Sequence, residues 1–324
     1  MKEKENNQTM QNLVQETEQK PVLEIKNLSV LIKERFLVKN VNFKMYKGDC
    51  FGIIGEDKSG KTSLLKAICG SMPIGPGQVF VDGKDIYRNL KSLANVSECL
   101  DPPVFFKYQT VYENLKYLSM LNESLDKEKI IRVLNRFNLA HKLNTRVLFL
   151  SFYEKKLMAL ALAFLAEPTL ILLDEPFRDI PEESLQMVKD AINEIRAKGT
   201  TIILTSRKLE DLDGLCNQYI FMENREIVRI MSQEECDKLT DLKTYAFVKV
   251  KYPHYAGKLI KDNFNLAVKL LDLRVLFEAD EDTVAKIVQF LTKHKIAIYR
   301  AGYLSRKAEK IFAELTPYYK EEKA

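Results

Sequence analysis

Gly55, Gly60, Lys61 and Thr62 stand in the spacing G-x-x-x-x-G-K-T inside FGIIGEDKSGKTSLLKAICG, Phe51 to Gly70. The apolar run Phe51 to Ile54 reads as a strand entering the motif, and Leu64, Leu65 and Ile68 recur at helical spacing after it. A loop in that context turns the backbone N–H groups of Gly55, Glu56, Asp57, Lys58, Ser59, Gly60, Lys61, Thr62 and Ser63 inward around an anion. The helix that follows aims its partially positive N-terminus at the same anion. A surface turn shares the Gly, Ser and Lys composition but not the strand before and the helix after. The chemistry expected is triphosphate binding, with Lys61 reaching the β- and γ-phosphates and the Thr62 hydroxyl ligating Mg²⁺.

A second element is LILLDEP, Leu170 to Pro176. Its four apolar residues form a buried strand that delivers Asp174 and Glu175 at the C-terminal end, where open α/β sheets bind ligands. Asp174 is the second expected Mg²⁺ ligand, and Glu175 is placed to orient and polarise an attacking water. Alone, an acidic pair at a strand end is often a solvated edge or a helix cap; beside a phosphate loop it reads as functional. Catalytic duties therefore fall on Lys61 and Glu175.

The positioning elements follow from pattern. Val22 to Ile32 and Val41 to Tyr46 read as strands of an antiparallel layer, and Lys47-Gly48-Asp49 turns the chain into the strand before the phosphate loop. Gln78 to Val81 is one more strand. From about Gln109 to Leu150 the period is helical, with Val111, Leu115, Leu118 and Leu121 on one helix and Ile130, Val133, Leu134 and Phe137 on another. Beyond Ser232 the order is β-α-β-β-α-β, followed by a last helix around Ala308 to Leu315. The organisation expected is a disordered tail over 1–20, a nucleotide-binding domain over 21–232 and an accessory domain over 233–324.

Composition narrows the class. The 324 residues are 46% hydrophobic, and the net charge of +5 is the difference between 50 basic and 45 acidic residues, too mild an excess to imply nucleic acid. Five cysteines are scattered singly, without the pairing of a zinc site or a disulfide framework. His254 and His294 are isolated. No signal-peptide core is seen, and the longest apolar run, Leu157 to Ala166, falls short of the ~20 residues a membrane span requires.

Over roughly Val22 to Ser232 the sequence resembles the nucleotide-binding domain of ABC transporters: phosphate loop, helical insert, Leu150-Ser151 opening a long helix, LILLDEP, then the strand Thr201 to Thr205. The resemblance implies an α/β P-loop NTPase fold of ABC type with an antiparallel β layer and a helical insert, carrying a small α+β C-terminal domain. It implies ATP and Mg²⁺ as cofactors, a transmembrane permease as partner, and a homodimer or a heterodimer with a second ABC ATPase. A cytoplasmic position, peripheral on the membrane through the permease, goes with it. The segment Ala308 to Leu315 is similar to the closing helix of export-type subunits, so an exporter is expected.

The departures from the family pattern are as specific as the matches. The signature reads Leu150-Ser151-Phe152-Tyr153-Glu154, with Phe152 and Tyr153 where the family has glycines that let the helix start approach the partner's γ-phosphate, and Glu154 adding negative charge beside that anion. Arg207 replaces the switch histidine, Pro181 the D-loop aspartate, and Ile32 the aromatic that stacks the base. Asp101 falls at the Q-loop position, a further expected metal contact. The half-site that grips triphosphate and metal is intact, whereas the half-site that completes a partner's centre is altered. Two readings remain: an energy-coupling ATPase subunit, and a non-hydrolysing, regulatory subunit that needs an intact partner.

Overall fold

In a computed structural model of the protein, residues 20–100, 104–119, 126–240, 245–304 and 307–316 are described. The expected tail over 1–19, Asp101 and Leu121 lie outside them. Contacts group the chain into two units, one drawn from Met1–Arg207 with Asp211–Ile227 and one from Lys208–Glu210 with Val228–Ala324.

In the first unit, β1 (Leu23–Ile32) and β2 (Arg35–Met45) form an antiparallel hairpin. Its two-residue turn places Lys33 and Glu34 at φ 46° and 61°, the left-handed pair that matches the twist of the flanking strands. β3 (Cys50–Ile54) is buried throughout and runs into α1 (Lys61–Ile68). β4 (Val79–Val81) and β5 (Lys84–Asp85) extend the antiparallel layer, whose order is β2-β1-β4-β5. β6 (Val96–Cys99) enters the central sheet.

The helical insert holds α2 (Val111–Leu118) and α3 (Lys127–Arg136), and α4 (Phe152–Leu165) follows. Thr110 and Glu113 close a capping box on α2, Asp126 caps α3, and Ser151 with Glu154 closes a second box on α4. These satisfy backbone N–H groups that a helix start otherwise leaves orphaned. The core continues through β7 (Leu170–Leu173), α5 (Glu182–Ala197), β8 (Thr201–Ser206) and β9 (Gln218–Glu223), and the chain passes into the second unit within β10 (Glu226–Ser232). The central sheet has the order β10-β9-β3-β8-β7-β6, with β9, β3, β8, β7 and β6 mutually parallel. β7 and β8 are buried at every position, which is why β7 reads as an unbroken apolar run rather than as alternation, and β8 as Ile202, Ile203 and Leu204 between hydroxyl residues.

The second unit contains α6 (Gln233–Thr240), β11 (Ala246–Val250), α7 (Pro253–Phe264), β12 (Val268–Leu271), β13 (Arg274–Phe277), α8 (Glu281–Lys293), β14 (Ile298–Tyr303) and α9 (Lys307–Leu315). Its antiparallel sheet has the order β12-β13-β11-β14. Ala246, Val248 and Val250 of β11 pack with Ile260, Val275, Ile287 and Leu291 in its core. α9 is fastened by polar contacts: Lys269 Nζ donates to the Ala313 carbonyl at 2.7 Å, and Arg274 meets Glu309 at 3.0 Å.

Candidate functional site

The phosphate loop is shaped by its neighbours as much as by its own residues. A Cβ on Gly55 would stand 2.5 Å from the Met222 carbonyl oxygen and 2.5 Å from Ser59 Oγ, and Gly60 sits at φ 107° with the Leu37 carbonyl 2.9 Å from where its Cβ would be. Both positions exclude a side chain, one by space and one by backbone. The turn joining β9 to β10 closes the far side, where the Arg225 N–H donates to the Ser59 carbonyl at 3.1 Å. Lys61 is 5% exposed, and its Nζ donates to the Gly55 and Glu56 carbonyls at 2.6 and 3.1 Å.

Thr62 lies 112 residues before Asp174 in the chain, and the structure brings it to the Asp174-Glu175 pair. Thr62 Oγ1 donates to Asp174 Oδ2 at 2.7 Å, while Thr205 Oγ1 donates to Asp174 Oδ1 at 2.6 Å. The Glu175 N–H donates to the same Thr205 hydroxyl at 2.8 Å. Thr205 thus orients both acidic residues. The sequence reading assigned it no role, although a hydroxyl closing the buried apolar run of β8 was the available signal.

Glu175 stands between two cations, with Oε1 3.8 Å from Lys61 Nζ and Oε2 3.7 Å from Arg207 Nε. Arg207 also reaches Asp57, Nη1 to Oδ2 at 3.4 Å. Burial pushes the Glu175 carboxyl above its ordinary value, and Lys61 and Arg207 offset only part of that. Burial likewise lowers Lys61, against the pull of Glu175, Asp57 and Asp174. In both partners loss of hydration outweighs mutual attraction.

A pH prediction follows. Because the folded-state value of Glu175 is raised, its effect on stability is fully present below the ordinary carboxylate range and is lost as pH rises through the raised value. Glu175→Gln removes that loss and should raise the unfolding free energy of the nucleotide-free protein at neutral pH by about 1 kcal/mol, with the gain shrinking towards acid pH. Urea melts of both proteins at pH 4 and 7 measure it; a variant less stable at pH 7 than at pH 4, relative to wild type, contradicts the sign.

A cavity of about 350 Å³ adjoins the loop and is lined by Lys58, Lys61, Thr62, Asp174 and Glu175, together with Arg35, Leu37, Arg178 and Arg225. Those last four residues were not read from sequence, because they arrive from the β1–β2 hairpin, the loop after β7 and the β9–β10 turn. On the hairpin side the wall is made by Arg35 and Leu37 rather than by Ile32, which pairs with Arg35 across the turn. Guanidinium groups are able to lie against an aromatic base or reach its phosphates. Asp101, expected near the metal, lies outside the described residues.

The donors present fit a hydrated Mg²⁺ shared with phosphate. The Thr62 and Asp174 oxygens are 2.7 Å apart, near the ~2.9 Å edge of an octahedron whose bonds are ~2.05 Å. Among the described residues there is no cluster of three His, Cys, Asp or Glu able to cage a metal. Ser59 Oγ is buried without a hydrogen-bond partner, a polar atom held in the loop wall.

The signature segment faces a different constraint. Ser151 Oγ accepts from the Glu154 N–H at 3.1 Å, Glu154 Oε2 accepts from the Ser151 N–H at 2.7 Å, and Lys142 pairs with Glu154 at 3.1 Å. Against the upward push of burial, the Ser151 N–H and Lys142 hold the Glu154 carboxyl below its ordinary value. The α4 N-terminus is therefore capped by its own carboxylate. The loop after Glu175 is steadied from α4, where the 2% exposed Lys156 donates from Nζ to the Arg178 carbonyl at 2.8 Å.

The five cysteines are free, and Cys50 and Cys216 bring their sulfurs within 3.7 Å. Burial raises the Cys69 thiol to about 11, an unreactive environment. His294 Nδ1 lies 2.9 Å from the Phe290 carbonyl with its ring against Phe290, a structural role.

Comparison with known proteins agrees with this geometry. Residues 38–178 match the family model described as ABC transporter. The uncharacterized ABC transporter ATP-binding protein YhcH of Bacillus subtilis strain 168 is 24% identical over 305 residues, 94% of this chain and 98% of its own length. The uncharacterized ABC transporter ATP-binding protein MJ1023 of Methanocaldococcus jannaschii is 24% identical over 278 residues, covering 84% of this chain and 96% of its own. Among solved structures, the ADP conformation of MJ1267, an ATP-binding cassette of an ABC transporter, superposes with a TM-score of 0.59 at 23% identity, over 68% of this chain and 94% of that one. The cbiO1 protein from Clostridium perfringens, part of the ABC transporter complex cbiONQ, gives 0.60 at 18% identity, over 76% and 96%.

Proposed function

We propose, from the premise that this chain is the ATP-binding subunit of an ABC transporter, that it binds Mg-ATP in the cavity beside the phosphate loop and couples that binding to a membrane permease of export type. The observation that carries the binding reading is the convergence of Lys61, Thr62, Asp174 and Glu175 on one cavity. Lys61 holds the terminal phosphates once they displace the Gly55 and Glu56 carbonyls from its ammonium. Thr62 and Asp174 hold Mg²⁺, which when bound neutralises phosphate charge. Glu175, kept partly protonatable by burial, accepts the proton of an attacking water. Arg207 pairs with Glu175 and Asp57 in the place where the family carries an imidazole, so charge around the γ-phosphate is set differently here.

Two observations support the partners. Val104, Phe106, Tyr108, Tyr117, Leu148 and Phe149 are exposed on the insert. Asn114 joins their segments by bonding both backbone groups of Phe106, and the Leu148 N–H donates to the Lys107 carbonyl. An exposed apolar patch of that kind marks a docking surface, and among the described residues no helix is long and apolar enough to cross a membrane. A peripheral, cytoplasmic position on the permease accords with both. The self-capped α4 N-terminus favours the second reading, a subunit that offers little to a partner's γ-phosphate and depends on an intact ABC partner for turnover.

Titrating labelled ATP with Mg²⁺ into wild type and Lys61→Ala tests the binding reading. The expected result is at least a tenfold loss in the variant, about 1.4 kcal/mol, and equal affinities sink it.

A further inference from the structure

A basic concavity on the nucleotide-binding unit lies at the opposite end of the parallel sheet from the phosphate loop. It is a cavity of about 570 Å³ where the chain enters β3, β7 and β8, roofed by α3 of the helical insert. Five cations surround it: Lys47 from the turn before β3, Lys129, Arg132 and Arg136 from α3, and Lys198 from the end of α5. Val133, Phe164 and Ile195 form apolar wall.

The charges do not balance. Lys129 meets Glu167 at 3.5 Å, and Arg136 and Lys198 share Glu194. Among the described residues Lys47 and Arg132 have no acidic partner, so five cations share two carboxylates. A favourable interaction with the C-terminal dipole of α5 accounts for Lys198, but not for Arg132 or Lys47, which lie on other elements. The Lys47 side chain crosses Gly199, its Cε 2.8 Å from where a Cβ on that glycine would be, and so reaches the rim. Like charges gathered around a concave, low-dielectric wall repel one another and concentrate field on whatever anion enters. The volume is that of a small-molecule site, and arginine forks match phosphate oxygens.

We propose that this cavity binds a phosphorylated small molecule with an apolar body, the phosphate meeting Lys47 and Arg132 and the body resting on Val133 and Ile195. Such a ligand ties α3 of the insert to the loops that open β3 and β8. The site is independent of ATP binding at the phosphate loop.

The test uses the full-length protein carrying Lys61→Ala, which weakens the nucleotide site, and 1-naphthyl phosphate as fluorescent probe. Saturable binding is expected, with at least a tenfold loss in a Lys47→Ala, Arg132→Ala variant of the same background. Both residues are exposed, and an unchanged melting curve checks that the variant folds. Inorganic phosphate and 1-naphthol are each expected to bind at least tenfold more weakly than the probe. Hydrogen exchange over 127–136 should slow when the probe is present. Equal probe affinity with and without the two cations, or equal affinity for 1-naphthol, overturns the proposal. So does saturation by an oligoglutamate peptide with no response to 1-naphthyl phosphate, which makes the surface a protein contact instead.

Discussion

Purified alone, the protein is expected to release phosphate from ATP at a negligible rate, and to show appreciable turnover only in complex with an ABC partner whose signature is intact. In a homodimer both composite sites would face Phe152, Tyr153 and Glu154. The Ser151 and Glu154 N–H groups of that segment are already engaged by the capping box, and the Glu154 carboxylate lies across the helix start. Loss of one well-placed donor costs about 10²- to 10³-fold in rate, and coupled losses need not multiply. In a heterodimer, Lys61, Asp174 and Glu175 of this chain would meet a normal signature. Glu175→Gln should then abolish that site's turnover. Robust hydrolysis by the isolated protein, eliminated by Glu175→Gln, would show that the altered signature and Arg207 matter little. A complex that is active but indifferent to Glu175→Gln means the partner's own base does the chemistry.

Gly55→Ala should remove nucleotide binding almost completely. The new methyl would fall 2.5 Å from the Met222 carbonyl and from Ser59 Oγ. Ser59 is able to rotate, but Met222 is fully buried in β9, so the loop must move away from the sheet. Overpacking of this kind costs about 1–3 kcal/mol, and the displaced loop no longer presents its N–H groups together. We expect at least a hundredfold weaker ATP binding and a lower unfolding midpoint. Gly83→Ala is the control: Gly83 has φ 75° but nothing within 4 Å of the added methyl, so it should cost about 1 kcal/mol of stability and leave affinity unchanged. Comparable affinity losses in the two variants would refute the steric account.

The parts of this site that are contiguous in the chain were legible in advance. A phosphate loop and an acidic strand end each carry a local signature, and neither depends on knowing which strands are neighbours. Thr205, Arg35 and Arg225 were not legible, because each acts on the site from a separate strand or hairpin that only the sheet order brings near. Ile32 shows the limit from the other side. Its place in the chain matched a base-stacking position, yet the tight Lys33-Glu34 turn returns the strand so that Arg35 and Leu37 make the wall. The accessory fold was readable as a rhythm of strands and helices, but its order, with β11 between β13 and β14, reflects long-range pairing that pattern alone does not encode.

The pairing of β3 with β8 and β9 also bears on how the protein is made. As the chain leaves the ribosome, the phosphate loop emerges before both strands that flank β3 and before the Met222 carbonyl beneath Gly55. Loop closure over that separation is slow relative to helix formation. The nascent polypeptide therefore carries a recognisable nucleotide motif before the strands that flank it exist, and a product cut short before β9 is expected to bind ATP weakly however intact its motif.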